Sequence, residues 1–374
     1  MRIGIDARFF GPGSKGLGRY TEKLITHLEH VDFENEYVVF LRRENFDLYT
    51  PANENFTKVL ADYRWYSFGE QFLFPFTLYK HCCDLVHFPH FNVPLLYFKK
   101  FIVTIHDLIL LRYPTHKAST RGAFFYWFKY LIYRIVIAHS MRGALDIIAV
   151  SQFTADDISD KYPNVCAKVS VIYESAEISV LEDNKNDENL VKYDIIKPYM
   201  LYVGNAYPHK NLHVLVDAFA KYVSDGGTVK QLVLVGCDDY FYNRLQAYIK
   251  KQKIQNIVIL YSISDGLLRT LYKKACFFVF SSLYEGFGLP PLEAQLLNIP
   301  VLSSDHACMI EILSKDGALY VSAVNKNKLA IAMQKIATDK KLRTDLVENG
   351  SKNVLRYSWK KMASQTHNIY TKNI

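Results

Sequence analysis

Short apolar runs recur along this 374-residue chain, each followed by a stretch with the spacing of a helix, and they come in two series. The first series is Ile3–Asp6, Tyr37–Leu41, Leu85–Phe88, Ile102–Ile105, Ile147–Val150 and Val169–Ile172. The second is Tyr199–Val203, Gln231–Val235, Ile257–Leu260, Phe277–Ser282 and Pro300–Ser303. Strands alternating with helices predict an α/β protein with parallel sheets. Between the series, residues 178–198 lose the pattern: EDNKNDENLVKYD is polar and charged, the composition of a linker. The prediction is two Rossmann-like domains facing across a cleft, each long enough for its own core, with ligands at the carboxyl ends of the strands.

Half of the residues are apolar and 14% aromatic, which excludes disorder over most of the length. The six cysteines show neither a Cys-x-x-Cys pair nor ligand spacing, and MRIGIDARFF does not read as a signal peptide. Reduced thiols in a cytoplasmic protein are therefore expected. No apolar run is long enough to span a bilayer. The 45 Lys+Arg against 37 Asp+Glu give +8, which suits anionic small molecules, nucleic acid or anionic lipid. Without a zinc finger, an RNA-binding strand signature or a basic helical arm, nucleic acid is the least supported of these. FNVPLLYFKKF and RGAFFYWFKYLIYRIVIAHSMR mix rings with Lys99, Lys100, Arg121, Lys129, Arg134 and Arg142. They read equally as core and as a face resting on an anionic bilayer, with stacking on an acceptor sugar as a third option.

The most informative string is FFVFSSLYEGFGLPPLEAQLLNIP, from Phe277 to Pro300. A strand runs into a glycine turn, and a helix opens at Pro290 and Pro291, where the first helical N–H groups lack partners in any case. Gly286 and Gly288 permit close backbone approach, and the helix start offers N–H groups and dipole to an anion. Glu285 and Glu293, with seven residues between them, suit pairs of sugar hydroxyls rather than the anion. Taken singly, each glutamate reads as readily as an ordinary solvated or dipole-stabilising residue. The whole string describes a nucleotide-sugar site.

Three further segments follow predicted strands. After the first, Gly11, Gly13, Gly16 and Gly18 form a loop feeding a helix that begins near Arg19, suited to a phosphate oxygen but lacking dinucleotide spacing. After the fourth, His106 and Asp107 sit where the sheet edge meets the predicted cleft, though such a pair also serves as a loop anchor. After the first strand of the second series, VGNAYPHKN places Lys210 before a helix as a cation for a diphosphate. No acidic or cysteine cluster offers a metal site, so metal-independent chemistry with no cofactor is expected.

The Glu285-to-Glu293 string resembles the signature of retaining glycosyltransferases of GT-B architecture, family 4, and weaker matches run to about Met362. The resemblance implies an acceptor-binding Rossmann-like domain at 1–177, a linker at 178–198 and a nucleotide-sugar-binding domain at 199–357. A terminal helix, about 358–374, packs back on the first domain. It implies that Glu285 faces the donor sugar, that Gly286, Phe287, Gly288 and Leu289 hold sugar and phosphate, and that Glu293 binds the ribose. Gly16 and Gly18 reach the donor phosphates or the acceptor. His106, with Asp107 in a subgroup rich in mannosyltransferases, lies near the reacting sugar. Many members carry Arg where Asn205 stands, so the diphosphate here is short of one cation. The implied reaction moves a hexose, mannose from GDP-mannose above others, to a glycan or lipid-linked glycan in surface-polysaccharide assembly, with peripheral contact to the inner membrane. UDP-hexose and UDP-N-acetylhexosamine transfer are the alternatives. A nucleotide-sugar 2-epimerase and a non-catalytic nucleotide-sugar binder rank lower.

Overall fold

The computed structural model describes residues 1–114, 123–177 and 190–373, with backbone alone at 123–126. Two compact units emerge. One comprises Met1–Pro114, Arg121–Glu174 and Tyr357–Ile374, and the other Ser175–Arg356.

The first unit is built on seven parallel strands: β1 (Arg2–Asp6), β2 (Glu36–Leu41), β3 (Phe56–Leu60), β4 (Leu85–Phe88), β5 (Phe101–Ile105), β6 (Ile147–Ala149) and β7 (Val169–Val171). Their order is β3-β2-β1-β4-β5-β6-β7, with Ile3 of β1 in register with Tyr37 on one side and Leu85 on the other. Its helices are α1 (Lys15–Leu28), α2 (Phe68–Phe72), α3 (Phe74–Lys80), α4 (Ile109–Arg112), α5 (Ala123–Gly143) and α6 (Gln152–Lys161). Side chains alternate between faces along each strand, so both faces are apolar and both are covered. Tyr37, Val39 and Leu41 pack with Leu24 and Leu28 of α1, whereas Val38 and Phe40 pack with Phe74 and Leu78 of α3. Each such buried side chain stabilises the fold by about 1.5–3 kcal/mol.

The second unit has β8 (Tyr199–Val203), β9 (Gln231–Gly236), β10 (Ile257–Tyr261), β11 (Phe277–Phe280), β12 (Val301–Ser304) and β13 (Leu319–Val321), all parallel in the order β10-β9-β8-β11-β12-β13. Helices α7 (Leu212–Ser224), α8 (Tyr240–Lys251), α9 (Asp265–Lys274), α10 (Leu289–Leu296), α11 (Ala307–Leu313), α12 (Lys326–Thr338) and α13 (Lys340–Val354) accompany them. The last helix, α14 (Trp359–Lys372), belongs to the first unit, where Trp359, Met362, Ala363 and Tyr370 join the α1 side of its core. Both units are Rossmann-like α/β layers. In each, the strand order reverses once, beside β1 and β4 in the first and beside β8 and β11 in the second. Such switch points are where open α/β sheets leave room for ligands.

Three expectations need correction. The helix predicted near Arg19 starts at Lys15, so Gly16 and Gly18 lie in its first turn and not in a loop. A side chain at Gly18 would meet the Gly11 carbonyl at 2.0 Å, so the glycine there serves close packing of helix against loop. Of the predicted linker, 178–189 lies outside the described residues, while Leu190 and Ile195 are buried. Gln231 bonds the Ile196 amide and the Asp194 carbonyl, so that stretch packs as part of the second unit. Strands β3 and β13 were not anticipated. Both are edge strands without a continuous apolar run: Lys58 interrupts the first, and the second has three half-buried residues.

Candidate functional site

In the second unit, residues after β8 and β11 meet at the switch point. A tight turn at Pro208–Lys210 and the segment Ser281–Tyr284 are stitched together. The Leu283 amide donates to the His209 carbonyl at 2.7 Å, and the Ser281 hydroxyl donates to the Lys210 carbonyl at 3.0 Å. Tyr242 fixes the preceding turn by donating to the Gly204 carbonyl at 2.8 Å. This scaffold sets the Lys210 ammonium 2.5 Å from the Glu285 carboxylate, above the ring of Phe280.

Glu285 is only 7% exposed, which removes the solvated-loop reading. Burial pushes its carboxyl up, but the Lys210 charge and the hydrogen bonds from Lys210 and Ser282 outweigh burial and hold it below the usual carboxylate range. Burial and the Lys210 charge lower His209 to about 4, so at neutral pH its imidazole carries no charge. The shortfall of a cation at Asn205 is therefore not made good by His209. Asn205 itself turns inward locally, its side-chain oxygen accepting from the Tyr207 amide at 3.3 Å.

Glycine is obligatory at 288. The residue sits at φ +94°, and an added Cβ would lie 2.5 Å from the Met309 methyl. Helix α10 starts at Leu289, and of its first three residues only Leu289 keeps an N–H, because Pro290 and Pro291 follow. The helix start thus offers fewer donors than anticipated. Glu293 is the fifth helical residue rather than part of the first turn, and it is 3% exposed, with Tyr272 donating to its Oε2 at 3.1 Å. A buried carboxylate held by a tyrosine is not an ordinary dipole-stabilising glutamate. Phe287 is buried beside it, and its carbonyl receives the Cys308 thiol.

In the first unit, His106 follows β5. Its Nδ1 is 2.8 Å from Glu174 and its Nε2 is 2.9 Å from the Pro89 carbonyl oxygen. Two acceptors flank one imidazole, and only the doubly protonated ring donates to both. Burial opposes that charge, but the hydrogen bond and charge of Glu174, the Pro89 carbonyl and Asp107 prevail and raise the imidazole above its ordinary value. Asp107 accepts from the Ile109 amide at 2.9 Å and so anchors the start of α4.

Sequence reasoning missed the residues behind His106. Glu174 lies 68 positions away and has no local signature. His87 is buried and His90 half-buried, and both are held to about 3, chiefly by desolvation and then by the His106 charge. His87 bridges the Tyr370 hydroxyl (2.7 Å) and the Thr104 hydroxyl (2.8 Å), tying α14 to the sheet. Arg8, wholly buried after β1, is held by Asp6 at 2.8 Å and Glu70 at 2.9 Å and braces α2. The order Asp-x-Arg directly after a strand was the available signal. Among the described residues, no group of three or more His, Cys, Asp or Glu is arranged around a metal, and all six cysteines are free. Among them, too, no helix is long and apolar enough to cross a membrane.

Comparison with known proteins agrees with this division. Residues 14–178 match the family model for Glycosyltransferase Family 4, and residues 182–353 match that for glycosyl transferases group 1. The chain belongs to the family 4 glycosyltransferases. This glycosyltransferase is 28% identical to the O-antigen chain mannosyltransferase RfbU of Salmonella typhimurium over 76% of its own length and 72% of the relative's. It is 25% identical to O-antigen chain mannosyltransferase B of Escherichia coli, over 76% of this chain and 74% of that one. Its fold is that of GT-B enzymes. The structure of HepE from Anabaena in complex with UDP-glucose superposes with a TM-score of 0.77 at 15% identity, covering 100% of both chains.

Proposed function

We propose that this glycosyltransferase moves a hexose from a nucleoside diphosphate sugar to a hydroxyl of a glycan or lipid-linked glycan, retaining the anomeric configuration, with mannose from GDP-mannose as the donor. The observation that carries the reading is the buried Lys210–Glu285 pair at the switch point of the second unit, beside the Gly286–Leu289 turn. A donor suits both halves of that pair: its diphosphate takes the ammonium, and its sugar hydroxyls take the carboxylate. The ligand thus replaces an internal ion pair with two charge-assisted contacts, ammonium to phosphate and carboxylate to hydroxyl. Glu293 with Tyr272 serves the ribose hydroxyls. Amides from Gly286 to Leu289, the Asn205 turn and, in the first unit, the helix start at Gly16 and Gly18 serve the phosphates and acceptor.

In the transfer step the acceptor oxygen bonds to the anomeric carbon on the face from which the diphosphate departs. The carbon–oxygen bond to the leaving group breaks, and the acceptor proton passes to a leaving phosphate oxygen. Lys210 meets the charge that develops on the diphosphate. No carboxylate nucleophile is invoked, because Glu285 and Glu293 are both committed to binding. His106, an imidazolium flanked by acceptors, contributes fixed positive charge and not a base. Asp107 supports it from the neighbouring loop. The reaction needs neither metal nor cofactor on this reading, and the enzyme works on the cytoplasmic side with peripheral membrane contact.

Relatedness to two O-antigen mannosyltransferases supports mannose. Similarity to a structure holding UDP-glucose supports a UDP-hexose as the second reading. Thermal-shift titration with GDP, UDP and their sugars separates the two, since a ligand at a hundred times its Kd stabilises by about 2.7 kcal/mol. GDP and GDP-mannose are expected to raise the melting temperature while the uridine series does not. The reverse selects the UDP reading, and no shift with any nucleotide refutes both.

A further inference from the structure

The positive charge of this chain is not spread over it. Residues 71–143 hold nine Lys+Arg and two Asp, which is +7, against +8 for all 374 residues. The rest of the chain is therefore almost neutral. An overlapping, slightly longer stretch concentrates exposed apolar side chains: among the described residues, 15 of the 27 large hydrophobics that face solvent fall from Tyr66 to Leu145.

Two helical elements present nine of these fifteen. Helix α5 is apolar all round. Tyr133, Val136, Ile137 and Met141 face the core, whereas Trp127, Leu131 and Ile135, spaced four apart, form an exposed stripe. The segment α2–α3 adds a ladder that the sequence did not suggest, with Phe68 85%, Phe72 52% and Phe76 69% exposed. Its other face is committed: Glu70 holds Arg8, and Phe74 and Leu78 enter the core. Residues 95–98 join the two elements. The Leu95 amide donates to Gln71 of α2, Tyr79 of α3 donates to the Leu96 carbonyl, and Leu95 lines an open groove of about 800 Å³ with Leu131, Arg134, Ile135 and Arg142 of α5. Arg121 lies outside the described residues.

We infer that this face of the first unit lies on an anionic phospholipid bilayer, with the phenylalanine ladder and the α5 stripe in the acyl boundary and Arg134 and Arg142 on lipid phosphates. The inference rests on the reading of a lipid-linked acceptor and names the surface that meets its membrane. Charge decides between occupants. A twofold self-contact would set the exposed Lys129, Arg134 and Arg142 against the same cations of the copy, which disfavours a second copy of this chain. Nucleic acid suits the cations but leaves aliphatic Leu131 and Ile135 without stacking partners. An anionic bilayer satisfies both kinds of group, and α5, which is not a spanning helix, is suited to lying in the interface.

Sedimentation of the full-length protein with vesicles tests this. Vesicles of phosphatidylethanolamine with a minority of phosphatidylglycerol should carry it down, less so at high salt, and phosphatidylcholine vesicles should not. Arg134→Gln with Arg142→Gln should weaken binding about 25-fold, near fivefold per cation. Phe68→Ser with Phe76→Ser should weaken it at least about tenfold, without loss of fold because both rings are exposed. Equal binding to the neutral vesicles, unchanged binding by either variant, or a wild-type protein that stays in the supernatant would each overturn the inference. Nucleotide thermal shifts on the same samples keep the two readings apart. A protein that binds nucleotide but no vesicle loses only this surface, and one that binds vesicles but no nucleotide loses only the donor site.

Discussion

Each of the two sheets carries a largely buried pair of a basic side chain and a carboxylate beyond its strand ends, and the two pairs are built differently. His106 and Glu174 form a closed pair: both ring nitrogens meet protein acceptors, and nothing is left for a ligand. Lys210 and Glu285 form an open one. The ammonium has three donors and spends one on Glu285, while the carboxylate retains acceptor capacity beyond that bond. A closed pair positions its surroundings, whereas an open pair can exchange its partner for substrate. The difference separates support from binding in a way that burial alone does not, since all four groups are largely removed from water.

Breaking the open pair should have the largest effect. Glu285→Ala removes the proposed sugar contact and leaves the largely buried Lys210 without its carboxylate, and kcat/KM for transfer should fall about a thousandfold. A steady-state assay with labelled donor measures it, and a loss under tenfold would contradict the assignment.

The closed pair should respond more mildly and in another parameter. Glu174→Gln should lower kcat about tenfold to hundredfold, the scale seen when the carboxylate behind a histidine is lost, with donor affinity unchanged. It should also create a pH dependence. In the wild type, Glu174 keeps His106 above the ordinary imidazole value. In the variant burial is no longer outweighed by Glu174, so His106 loses its proton at a lower pH than in the wild type, and activity should decline as pH rises through that lower value. The same linkage acts on stability. The raised folded value means that the pair's contribution is complete below about 6.5 and is lost as pH rises through the folded value. A pH–rate profile of the variant without that limb would show that Glu174 does not govern His106.

The histidines behind the closed pair should leave transfer at neutral pH least affected and act on stability instead. His87 and His90 are held to about 3, so the unfolded chain takes up protons below about 6.5 that the folded chain refuses. Stability should therefore fall as pH drops from about 6.5 towards 3, by up to about 1.4 kcal/mol per pH unit for each histidine. Chemical denaturation at neutral and mildly acid pH checks this, and replacing His87 by Gln should flatten the slope.

What the sequence revealed follows the range of each interaction. The core strands were legible because apolar runs buried on both faces are local signals, as in FFVF of β11. Glu285 and Glu293 were legible because one strand–turn–helix carries both. The start of α1 was not, since glycine is a poor helix former and only the packing of Gly18 against the Gly11 carbonyl favours it there. Glu174 was invisible because it meets His106 only through the sheet, when β7 ends two strands away from β5. The Lys210–Glu285 bond was equally hidden. Each residue was noted for a ligand, but that they hold one another is a property of the folded switch point.

The central claim is that a nucleotide-sugar exchanges with that bond. Calorimetric titration of wild type and Glu285→Gln with GDP and with GDP-mannose tests it most directly. The variant should bind GDP within about threefold of wild type, while GDP-mannose should lose its added affinity, because on the proposed reading only the sugar uses the carboxylate. Equal loss for both ligands, or no loss for either, would contradict it.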